Sequence, residues 1–100
     1  LSRAAQALPD ADRRALAQAV SEVLHYLWDP IGVAGVPQAR DEYDSYVPEI
    51  CTLLSQGADQ ATVATTLREI SGQRMGLDDT DALAEQAARR LMAWREVITR

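Results

Sequence analysis

The stretch Trp28–Pro48, WDPIGVAGVPQARDEYDSYVP, decides how the rest of the chain is read. Pro30, Gly32, Gly35, Pro37 and Pro48 punctuate it, so no continuous helix runs through it, while the sequence on either side carries helical periodicity. The same segment gathers the acids Asp29, Asp41, Glu42 and Asp44, a single base, Arg40, and the large aromatics Trp28, Tyr43 and Tyr46. A buried loop strands its backbone polar groups. This one is therefore expected on the surface of a helical scaffold, pinned inward by Ile31, Val33 and Val36.

Upstream, Pro9 with Asp10 and Asp12 is a helix start: proline loses nothing in a first turn, and acids there favour the macrodipole. Leu16, Ala19, Val20, Val23, Leu24 and Leu27 then form one apolar stripe, which predicts a helix over about Asp10 to Leu27 that Pro30 ends. Residues 2–8 have helical composition without a face, a short helix or a frayed arm. Downstream, a second helix should start between Asp41 and Ser45, keep Pro48 in its first turn, bury Val47, Ile50, Cys51 and Leu54, and close at Gly57. Asp59 caps a third, about Gln60 to Arg74, with Val63, Leu67 and Ile70 inward and Gly76 after its end. The last runs from about Asp81 to Ile98, with Ala84, Ala87, Leu91, Trp94 and Ile98 inward. Four helices with short connections and no strand predict an all-α fold, a compact four-helix antiparallel bundle with a Gly/Pro-rich loop between the first two long helices.

One hundred residues make a single domain over 1–100, and 47% hydrophobic with 25% charged residues is globular composition. No apolar run can span a bilayer, and none has the layout of a signal peptide. The chain begins at Leu1 rather than Met, which leaves room for a piece upstream. A lone Cys51 forbids an internal disulfide and fits a reducing cytoplasm, where it reads as a small hydrophobe. The absence of Lys, Phe and Asn beside abundant Ala and Arg points to a bacterial genome rich in G and C. Net charge is −5, and residues 29–59 carry all of it: six acids against Arg40 alone. That placement suits a basic protein surface rather than a phosphate backbone, so no nucleic acid is expected as a partner.

The cluster Asp41, Glu42, Tyr43, Asp44 and Tyr46 is the strongest candidate for partner binding. Tyrosines give rigid amphipathic contact area and carboxylates pair with a partner's Arg or Lys. The competing reading is structural, with acids on a helix start and rings over the core. Trp28, Asp29, Pro30 and Gly32 structure the loop: Asp29 accepts from its own downstream backbone in a turn that locks the helix exit, and Trp28 covers the bundle end. No metal site is expected, since calcium-loop spacing is missing and His25 and Cys51 stand alone of their kinds. Neither a phosphate-binding glycine loop nor a GxSxG turn occurs, so no catalytic residue and no cofactor is assigned. A metal- or ligand-dependent hydrolase using the clustered carboxylates is one alternative. A structural subunit self-associating through Met92 or Trp94 on the last helix is another.

At Trp28-Asp29-Pro30-Ile31-Gly32, followed by Tyr43, Tyr46 and Pro48 and a helical pair, the chain resembles small, uncharacterised bacterial domains in which a helix ends in WDP, then I or F, then G. The likeness covers roughly Val20 to Leu77. It implies an all-helical cytoplasmic fold without assigned activity and, for some such acidic domains, a role as immunity proteins beside toxins. A looser likeness is to the acidic four-helix immunity proteins that block nuclease bacteriocins. In that likeness Asp44, Tyr46 and Pro48 take the parts of an acid, a tyrosine and a nearby proline. The tyrosines here are not adjacent and that family lacks the WDPIG loop, so this is an analogy of surface chemistry.

Overall fold

Helix α1 starts where Pro9 and the acids behind it place it. In the computed structural model, which describes residues 8–29, 43–74, 76 and 80–99, it spans Asp10–Glu22 and continues without a break into a π-wound turn over Val23–Trp28. The Asp29 amide closes that turn on the Leu24 carbonyl at 2.9 Å, five residues back. Leu16, Ala19, Val20, Val23 and Leu24 are buried as the stripe requires, but Trp28 and His25 go inside while Leu27 is only half-buried. The winding accounts for Trp28. At roughly 100° per residue an α-helix would carry it about 80° round from Val20. The wider π turn rotates less per residue and swings it back toward Val20's line.

Helix α2 opens with a 3-10 turn, Asp44–Tyr46, and runs as α-helix over Val47–Ser55 with Pro48 in its first turn. Ile50 and Leu54 are fully buried, Val47 and Cys51 partly. Gly57, at φ +86°, ends it with a paired return: the Ala58 amide reaches the Leu53 carbonyl at 3.0 Å and the Gly57 amide the Leu54 carbonyl at 3.2 Å. Arg95 adds a donor from the last helix, its Nη1 lying 3.3 Å from the Leu54 carbonyl and 2.7 Å from that of Ala58.

Helix α3, Gln60–Glu69, is capped by Asp59, whose carboxylate accepts the Thr62 amide at 2.8 Å; that bond holds the Asp59 carboxyl below its usual range. It too finishes in a π-wound turn, Ile70–Arg74, and buries Val63, Ala64, Leu67 and Ile70. Helix α4, Asp81–Thr99, packs through the small side chains of Ala84, Ala87 and Ala88 and through Leu91. Trp94 corrects the expectation that it faces inward, for it is 40% exposed. Measured at about 100° per residue from Ala84, Trp94 falls about 80° off the buried line while Arg95 falls about 20° from it. The inward line at that level belongs to the stem of Arg95.

Cross-contacts fix the directions. Ser21 lies beside Asp44, Glu49 beside Arg74, Ser71 beside Thr80, and Leu8 beside Thr99. Each helix is thus antiparallel to its neighbours, an all-α four-helix bundle around Leu16, Val20, Leu24, Trp28, Ile50, Leu67 and Leu91. No described helix is long and apolar enough to cross a membrane. The expected arm at residues 2–8 lies outside the described residues except for Leu8, which packs on the core.

Candidate functional site

The two described ends of the Trp28–Pro48 segment meet over the core. Trp28 is wholly buried at the end of α1, its ring 5.4 Å from that of Tyr43 at 58° and 6.4 Å from that of Tyr46, edge-on at 87°. Asp29 takes a left-handed conformation, φ 33° and ψ 57°, and accepts a hydrogen bond from the Tyr43 hydroxyl at 2.7 Å. The bond joins residues fourteen positions apart and ties the exit of α1 to the entry of α2. The donor is a side chain across the segment; the downstream backbone expected to serve Asp29 lies outside the described residues. Pro30 and Gly32, the other two loop-structuring residues expected from the sequence, lie outside the described residues, as do Ile31, Val33 and Val36.

Of the five residues expected to bind a partner, Asp41 and Glu42 also lie outside the described residues. Tyr43 does not offer a contact surface, because it is only 1% exposed and spends its hydroxyl on Asp29. Its ring packs against that of Trp28 instead. Asp44 is exposed, with the Ser21 hydroxyl 3.4 Å away and no arginine paired with it among the described residues. Tyr46 is half-buried, its ring held edge-on by Trp28 while the Arg74 guanidinium sits 5.9 Å from its centroid. Arg74 in turn grips Glu49 with two bonds, 2.9 and 3.4 Å, and that carboxylate raises the guanidinium further above its ordinary range. Glu49 is therefore neutralised by an arginine of its own chain, and Asp44 has no such partner among the described residues. The Tyr46–Arg74–Glu49 contact was not legible beforehand, since Arg74 stands twenty-five positions beyond Glu49.

Two polar atoms in this region are buried without a hydrogen-bond partner among the described residues, His25 Nδ1 and Trp28 Nε1. His25 packs its ring edge-on against Tyr26 at 4.5 Å and is a core residue. Cys51 is half-buried, and burial pushes its thiol up to about 11, which leaves it a poor nucleophile. Among the described residues no three His, Cys, Asp or Glu side chains come together as a metal site would need. No protein-family model, curated protein or solved structure matches the chain.

Proposed function

We propose that the chain is a small acidic protein-binding module that docks a basic partner, in the manner of an immunity protein neutralising a toxin domain, through the Trp28–Pro48 surface. The observation that carries this reading is Asp44: exposed, unpaired with any arginine among the described residues, and set beside a turn that buried Trp28 and Tyr43 hold rigid. A charge held on a rigid base loses little freedom on binding. Asp41 and Glu42 extend the charge, Tyr46 supplies a fixed ring at the rim, and Tyr43 contributes only support. Residues 29–59, with net charge −5, steer a cationic surface toward that side. The test is the variant with Asp41, Glu42 and Asp44 replaced by Ala. Its melting temperature should hold, and its capture of cationic proteins from a lysate of the source cells should fall away. Unchanged capture rejects the surface, and a collapse in stability assigns the acids to the fold.

A second reading has its own observation. Trp94 is 40% and Val97 55% exposed, three residues apart on one flank of α4, as self-association through that helix requires. On this reading the chain sediments as a dimer or larger at high concentration, and replacing both residues with Glu returns it to a monomer. Monomeric behaviour of the unaltered chain across the concentration range disposes of it.

A further inference from the structure

The last helix is where the charge of this acidic chain changes sign. Residues 81–100 carry three acids and four arginines, whereas the surplus of acids falls in residues 29–59, which hold α2. Helix α2 packs on α1 and α3 and stands diagonally across the bundle from α4. Measured at about 100° per residue from Ala84, the outward line of α4 runs through Gln86, Arg90, Ala93 and Val97, all exposed. They recur at steps of four, three and four, the spacing of a coiled-coil seam. Arg89 and Glu96 flank that line on one side and exposed Trp94 on the other. Arg89, Arg90 and Glu96 make no ion pair among the described residues. Glu85, the acid one turn before Arg89, is already engaged by Arg68 of α3 at 3.1 Å.

Such a face is complementary to itself in one orientation. When two helices pack antiparallel about a two-fold axis, each flank meets the same flank of the other copy. Arg89 of each copy then stands by Glu96 of the other, Arg90 crosses Ala93 and comes beside Trp94 of the other, and Gln86 faces Val97. A parallel pair instead stacks Arg90 on Arg90. We propose that the outer face of α4 is covered by a second copy of this chain, bound antiparallel in that register. This rests on the self-association reading above and gives it a geometry. Because α1 runs antiparallel to α4, with Leu8 beside Thr99, the Trp28 end of each copy lies toward the start of its α4. The pairing therefore sends the two Trp28–Pro48 surfaces to opposite ends of the dimer, which presents that surface twice. A single helix face roughly 17 Å long is a small interface, so the dimer is expected to be micromolar or weaker.

Sedimentation equilibrium across the micromolar range should show a dimer of the full chain. Arg89→Glu and Glu96→Arg alter exposed positions only. Each should keep its melting temperature and weaken the dimer at least about tenfold, since each sets like charges together at both symmetric contacts. Mixed in equal amounts, the two variants should form a heterodimer about as tight as the unaltered homodimer, because both contacts then join opposite charges. A parallel pair, or a dimer built on another face, is not rescued in that mixture. A dimer indifferent to both variants, or weakened by each and not rescued by mixing, overturns the register; if Trp94→Glu/Val97→Glu still breaks that dimer, self-association through α4 stands without it. A full chain that is monomeric throughout overturns both. A fall in melting temperature on either single variant with no effect on association also overturns the proposal. It would assign those charges to pairs with Asp41, Glu42 or residues 1–7 of the same chain, which lie outside the described residues.

Discussion

Replacing Trp28 by alanine is expected to remove a large share of the chain's stability. The ring is fully buried and packs on both Tyr43 and Tyr46, so the substitution opens a cavity where the exit of α1 meets the entry of α2. Removing a buried large aromatic costs about 3–5 kcal/mol. A domain of this size holds about 5–15 kcal/mol in all, and each kcal/mol moves the melting temperature by about 4–8 °C. The fall measured by circular dichroism should therefore run to tens of degrees. Trp28→Phe sharpens the argument. Its indole N–H has no partner among the described residues, so phenylalanine gives up no hydrogen bond and removes a polar group that is costly to bury. A loss well below that of alanine is expected. If phenylalanine proves as damaging, the N–H has a partner after all.

The second large effect lies at the turn between α3 and α4. Ser71 and Thr80 are buried, their hydroxyl oxygens 2.6 Å apart, and the Ser71 hydroxyl is also 3.1 Å from the Arg68 carbonyl. A hydroxyl has one proton. With Ser71 donating to the carbonyl, Thr80 must donate to Ser71, and the order of the chain predicts unequal consequences. Ser71→Ala leaves the Thr80 donor unmatched, a loss of about 1–3 kcal/mol for a buried group. Thr80→Val leaves the Ser71 bond to the carbonyl standing and should cost less. In urea titrations the double variant should be more stable than the sum of the two losses allows, because the stranded donor is gone. Strict additivity would show that the two hydroxyls are not bonded in solution.

The helices were legible because their punctuation is chemical. Pro9, Asp59 and Gly57 mark ends that the structure places at those residues, through a first turn, a side-chain cap and a positive φ. Interior faces were legible only where helical winding stays regular. Trp28 enters the core because the end of α1 is π-wound, and Trp94 leaves it because an alternating 3 and 4 spacing drifts on a straight helix. The candidate surface was harder still. Tyr43 and Tyr46 are equally aromatic and three residues apart, yet one supports and the other borders solvent. A 3-10 turn sets residues three apart on one side, and both rings face Trp28, so neither composition nor spacing tells which of them is covered.

Arg95 reaches from α4 to the carbonyls that finish α2, and that reach joins the fates of two segments far apart in sequence. Unwinding the last turn of α2 releases the guanidinium from its acceptors; fraying of α4 past Arg95 uncovers the same carbonyls. Neither terminus can loosen alone without stranding the other. In native-state hydrogen exchange, the amides of that turn and those of the end of α4 should lose protection together, as one foldon.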